Sequence, residues 1–168
     1  MPLIVETGAG LPDAESYASV SEADAYHAAR GSNAQWAALA VERREQLLRE
    51  ATEYMACYGS SLSGRRRFAA QALDWPREGA MAHGFDVPPE TVPPSIKRAC
   101  AVLAMKAATG SLRPAAGQVK KRQKVGPLEV EYQDSSTAGA LHPAADALVS
   151  PYFDDLAGNP FMARLERN

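Results

Sequence analysis

The chain is poor in the residues from which small proteins usually build chemistry. Its 168 residues include two cysteines, Cys57 and Cys100, whose separation fits neither a zinc-type ligand spacing nor a compact disulfide framework. Each falls within a predicted helix, so both are expected to be buried, reduced thiols. The three histidines, His27, His83 and His142, fall in a helix and two loops without a supporting motif. There is no G-x-S-x-G, H-E-x-x-H, G-K-[ST] or C-x-x-C pattern. These absences predict a protein that is not an enzyme, with no cofactor, no metal and no catalytic residue, its histidines serving as surface or capping groups. The acidic pairs Asp154-Asp155 and Glu129/Glu131 lack a surrounding oxygen-ligand loop and read as solvated.

Long apolar runs are missing as well. No stretch approaches the roughly 18 to 20 residues of a membrane span. Met1 to Val5 lacks the charged and apolar regions of a signal peptide, and the expected location is the cytoplasm. An excess of positive charge is also absent: 18 Lys and Arg face 20 Asp and Glu, for a net charge of −2 and a pI near 5.9. Such a balance excludes a protein that coats nucleic acid with its whole surface, since phosphate neutralisation needs an excess of Lys and Arg. Local basic patches remain open.

What is present is alanine and helical periodicity. The hydrophobic fraction of 46% contains much alanine, which favours helices in close contact over bulky aromatic packing. Residues 1–19 carry Pro2, Gly8, Gly10 and Pro12 with little periodicity, which predicts an extended arm with turns. Gly8-Ala9-Gly10 runs into Leu11-Pro12 rather than a helix start, so it does not read as a phosphate-binding loop. A first helix is expected behind Ser21 as N-cap, stopping after Arg30 at Gly31. Ser32 to Trp36 reads as a short connection. From Val41 to Tyr58, Leu47, Ala51, Tyr54 and Tyr58 recur on one helical face, with Leu48 and Met55 beside them. A further helix is expected from Pro94 or Ser95 to Thr109, burying Ile96, Ala99, Cys100, Leu103 and Ala107 and stopped by Gly110.

Beyond Pro114 the period changes. Val119 to Val125 and Leu128 to Tyr132 flank Gly126-Pro127 and predict a β-hairpin whose arms carry opposite charge. A last helical segment is expected over Pro143 to Leu156, with Ala144, Leu148 and Val149 inward and Pro151 kinking or ending it. Phe161 to Leu165 could add one terminal turn. The fold class is therefore mainly α: a small helical bundle with a projecting β-hairpin and extended N- and C-terminal arms. The expected divisions are an arm over 1–20, a helical core with a Trp75 loop over 21–112, and the hairpin with the C-terminal helical segment over 113–168.

Two basic clusters and one aromatic loop are the candidate contact sites. Arg65, Arg66 and Arg67 sit beside Phe68 and Trp75, where they could join phosphate contact to base stacking. They could equally pair with acids of a neighbouring subunit or stack on Trp75. Lys120, Lys121, Arg122 and Lys124 are denser but lie on the predicted strand opposite Glu129 and Glu131. Gln71-Ala72-Leu73-Asp74-Trp75-Pro76-Arg77 has neither a helical face nor strand alternation, and Pro76 biases Trp75 towards an extended backbone. Trp75 and Pro76 are expected to anchor this loop.

The loop resembles the QAL-x-WPR signature of a family of tailed-phage and prophage proteins labelled both head-tail connector (neck adaptor) proteins and DnaT-like single-stranded-DNA-binding proteins. Pieces in the same order extend the similarity: Glu6 to Leu11 with Ser16 to Ser19, Ala23 to Gly31 with Trp36, Arg65 to Arg77, and Val125 to Tyr132. The connector label implies a homo-oligomeric ring, often of twelve, between portal and tail or head-completion proteins. DNA passes through its lumen without sequence-specific binding; the sites would be the host cytoplasm during assembly and then the virion neck. The second label implies a replication accessory that binds single-stranded DNA.

Overall fold

The computed structural model describes residues 1–31, 33–113, 123–125, 128–130 and 142–154, and shows a mainly α protein with small two-stranded ribbons. The helices are α1 (Val20–Ala28), α2 (Asn33–Ala37), α3 (Val41–Met55), α4 (Pro94–Thr109) and α5 (Pro143–Val149). Short 3₁₀ segments follow α3 (Ala56–Ser61) and α5 (Ser150–Tyr152).

α4 is the hub. It packs against α1, α3 and α5, and its sequence explains how three helices reach it. Ala99, Ala101, Ala104 and Ala107 are buried along with Ile96, Cys100 and Leu103, so small side chains lower the surface while a few large ones fill the gaps. On α3, Leu47, Leu48, Ala51, Tyr54 and Met55 face this core as the periodicity predicts. Each fully buried Leu or Ile contributes roughly 1.5 to 3 kcal/mol relative to an exposed position.

The start of α1 differs from expectation. Ser19, not Ser21, is the N-cap; its hydroxyl accepts from Glu22 N while the Glu22 carboxylate accepts from Ser19 N at 2.8 Å. The reciprocal pair needs the acid three residues after the cap, and Ser19 with Glu22 meets that spacing with an extended cap backbone. The connection after α1 is not a plain loop either, since Asn33–Ala37 form the short α2. Trp36 on it is fully buried and donates from Nε1 to Asp24 at 2.6 Å, while Arg44 of α3 binds the same carboxylate at 2.9 Å. Asp24 thus ties α1, α2 and α3 together. His27, expected as a surface or capping group, is buried at 2% exposure against Trp36, with Nε2 3.2 Å from the Ala101 carbonyl.

The N-terminal segment is extended in backbone yet docked on the core. Ser16, Tyr17 and Ala18 are buried, and Val5 bridges Ser16. The buried Glu6 carboxylate accepts the backbone N–H groups of Gly8, Gly10 and Leu11 at 2.8, 2.9 and 2.8 Å. Gly8 sits at φ +106° so close to the neighbouring chain that a Cβ there would stand 1.8 Å from the Glu90 carbonyl oxygen.

At the other end α5 is rotated relative to expectation. Ala145, Asp146 and Val149 are buried and Ala144 is exposed, because the Tyr58 hydroxyl donates to Asp146 at 2.5 Å and draws the carboxylate inward. The expected long α3 also gives way to 3₁₀ geometry after Met55. There Tyr58 takes the inward position and Cys57 is exposed, contrary to expectation, while Cys100 is buried; both thiols are free. The expected hairpin is present as β5 (Gln123–Val125) paired antiparallel with β6 (Leu128–Val130), with Lys124 opposite Glu129. The expected terminal turn at Phe161 to Leu165 lies outside the described residues, as do Lys120, Lys121 and Arg122.

Candidate functional site

Between α3 and α4 the chain forms two further ribbons that the sequence pattern does not announce. β1 (Arg65–Arg66) pairs with β2 (Arg77–Glu78), and β3 (Met81–Ala82) pairs with β4 (Phe85–Asp86). The Trp75 loop is the excursion between β1 and β2. Its shape comes from side chains that bind backbone. Gln71, 2% exposed, donates from Nε2 to the carbonyls of Leu73 and Pro76 at 2.7 and 3.0 Å and accepts Phe68 N at 2.9 Å. The Trp75-Pro76 bond is cis.

Arg77 performs the same task on the other side. Its guanidinium donates to the carbonyls of Ser63, Leu62, Gly64 and Asp74 at 2.8, 3.1, 2.8 and 3.3 Å. Burial pushes its pKa down from the ordinary arginine value, against the opposing pull of the Asp74 charge. Five donors in a fixed planar fork can satisfy carbonyls that no lysine could reach together. Gln71, Trp75, Pro76 and Arg77 are all buried, so in the single chain their side chains pack inward rather than face solvent.

The arginine triplet lies on the same ribbon but is bonded within the chain. Arg65 pairs with Glu78 at 2.7 Å, across the β1–β2 ribbon. Arg66 donates to the Gln71 carbonyl. Arg67 pairs with Glu90 at 3.1 Å, donates to the Pro89 carbonyl at 3.2 Å, and lies over Phe68 rather than Trp75, 5.0 Å from the ring centroid. Trp75 itself meets Tyr152. Each arginine therefore has an acceptor of its own, and the carboxylates on Arg65 and Arg67 offset two of the three charges. Lys124 belongs to a separate ribbon, β5–β6.

A cleft of about 440 Å³ opens beside the loop, lined in part by Glu15, Tyr17, Arg49, Thr52, Glu53 and Asp74. The Arg49 guanidinium, 2.9 Å from Glu15, holds that carboxyl below the usual carboxylate range, and burial pushes the Tyr17 phenol up. Three carboxylates against one cation repel a polyanion, so this cleft is no seat for a nucleic-acid strand. No group of three or more metal-ligating side chains occurs among the described residues.

A family model described as "Putative DnaT-like ssDNA binding protein" matches residues 1–168. No curated protein and no solved structure matches the chain.

Proposed function

The chain belongs to this DnaT-like family over its whole length, and on that premise we propose that it is a non-enzymatic accessory protein that binds single-stranded DNA. The full-length family match carries the reading. The charge balance sets its form: with a net charge of −2, contact is confined to a local basic surface that engages a few phosphates, with stacking adding sequence-tolerant affinity. Fluorescence anisotropy of a labelled oligothymidylate tests it. The expected result is micromolar affinity that weakens with salt along a shallow slope of about −0.7 per phosphate engaged. A flat titration at low ionic strength would exclude the reading.

A second reading, a structural subunit of a phage or prophage head-tail connector ring, is favoured by a different observation. The β3–β4 ribbon leaves Phe85 77% and Met81 47% exposed, apolar surface of the kind that head-to-tail subunit contacts cover. In this reading further copies of the chain cover the ribbon, the β5–β6 hairpin fastens the ring to portal or tail neighbours, and DNA passes through the lumen. Light scattering with negative-stain microscopy tests it: concentration-dependent oligomers or rings are expected, and Phe85→Asp should dissolve them. Deleting residues 119–132 should leave a folded helical protein that no longer assembles; unaltered assembly would refute the hairpin's part.

A further inference from the structure

A second surface, away from the arginine triplet, carries cations with fewer acidic partners. α1 and α4 enclose a groove of about 340 Å³ lined by Glu22, Tyr26, Arg30, Lys97 and Arg98 among others. That volume lies at the lower end of small-ligand sites, roughly 300 to 1,000 Å³. The Arg30 guanidinium lies over the Tyr26 ring, its carbon 3.8 Å from the centroid. Arg30 and Arg98 are exposed, and neither has an ion pair among the described residues. Lys97 binds Glu22 at 2.7 Å, but Glu22 is also engaged by the α1 cap through its other oxygen. The groove therefore holds three cations against one carboxylate.

Lys97 and Arg98 are the fourth and fifth residues of the 16-residue α4, whose first turn carries no acidic residue and whose N-cap makes no side-chain hydrogen bond. No acid at the start of α4 offsets the two cations, so the positive field of the groove is left for an anion to answer.

We propose that a single-stranded DNA segment lies in the α1/α4 groove, with Arg30, Lys97 and Arg98 on its phosphates and one base stacked on the Arg30–Tyr26 pair. This rests on the single-stranded-DNA reading and locates its site. The Arg30–Tyr26 cation–π pair is already assembled, so a base meets a formed contact surface, and guanidinium planes stack bases as aromatic rings do. The site selects single strands, because a base within a duplex offers no free face to the platform.

The experiment uses the full chain and a fluorescein-labelled oligothymidylate, with Arg30→Ala/Arg98→Ala compared against Arg65→Ala/Arg66→Ala. Removing two phosphate contacts should shift the salt slope by about 1.4 and weaken affinity by roughly tenfold or more, whereas the triplet variant should bind almost as the parent does. A strand carrying 5-iodouracil should photocrosslink to Tyr26 in the unaltered protein, a readout independent of whether a variant folds. Binding by the parent with an unchanged slope in Arg30→Ala/Arg98→Ala, or a crosslink confined to other residues, would overturn the site while leaving the single-stranded-DNA reading standing. No binding by the parent overturns both. Equal affinity for a duplex overturns the stacking platform and leaves only a generic polyanion surface.

Discussion

Trp75 and Tyr152 pack at an angle of 83° with ring centroids 5.3 Å apart. The contact joins the loop between two helices to the last described turn of the chain. Its surroundings reinforce it: the Tyr152 hydroxyl and Ser95 Oγ are 2.6 Å apart, Ser63 N donates to the Tyr152 carbonyl, and Phe153 bridges Leu62. The C-terminal segment acts as a strap across the 3₁₀ turn that follows α3, and the tryptophan is the post to which it is fastened.

Trp75→Ala should therefore destabilise the fold by about 3 to 5 kcal/mol, the usual cost of emptying a large buried aromatic site. With 1% exposure in the single chain, the ring acts through packing rather than through a neighbour. Urea denaturation measures the loss. A variant as stable as the parent but defective in assembly would show that the ring faces another subunit instead.

Arg77→Lys should cost about 2 to 4 kcal/mol, since an ammonium cannot serve four carbonyls at once and each buried acceptor left unmet costs roughly 1 to 3 kcal/mol. Arg65→Ala should change stability by no more than about 0.5 kcal/mol, because its ion pair with Glu78 is solvent-exposed. Chemical denaturation of the two variants side by side checks the contrast. Equal losses would contradict the division between a buried clamp and a surface pair.

Tyr58→Phe should lower stability by about 1 to 3 kcal/mol. The phenol donates to Asp146 Oδ1, and Oδ2 of this buried carboxylate has no partner among the described protein groups. Asp146→Asn in the same background should recover part of the loss by removing the buried charge. A thermal melt in which Tyr58→Phe matches the parent would mean that the pair is energetically idle.

Acid should weaken the fold in two stages. Burial pushes the His27 imidazole pKa down, against the opposing hydrogen bond to the Ala101 carbonyl. An unfolded histidine titrates near about 6.5, so from there down to the folded value the unfolded chain holds more protons and stability falls with pH. Glu15, hydrogen-bonded to Arg49, has its folded pKa below the unfolded carboxylate value and extends the loss in the same direction in more acidic solution. Melting temperatures across this range should show a first decline that His27→Gln removes and a second that it leaves in place. A flat profile from about pH 7.5 to 5.5 would contradict the first stage.

The bundle was the legible part of the sequence because α3 and α4 each repeat their apolar residues over several turns, and the Gly-Pro pair between two extended patterns gave the β5–β6 pairing. The ribbons β1 to β4 were not legible, since strands of two residues have no period to read. Trp36, His27 and Asp146 were missed for another reason. Each is a polar or amphipathic group made comfortable inside by one distant partner, and such pairings leave no local trace. The arginine triplet was visible as charge, but the pairing of Arg65 and Arg67 depends on Glu78 and Glu90, which only the β1–β2 ribbon and the path into α4 bring near. The α1/α4 groove gathers Arg30 with Lys97 and Arg98 from far apart in the chain. Its one local signal was the adjacent pair of cations Lys97-Arg98.

Glu6, held by the amides of Gly8, Gly10 and Leu11, settles what the glycine-bearing turn can do. The turn carries its own tethered competitor. A phosphate or nucleotide arriving from solution would have to evict a carboxylate that is never more than a few bonds away, at an effective concentration no free solute matches. The turn is thereby reserved for the chain itself.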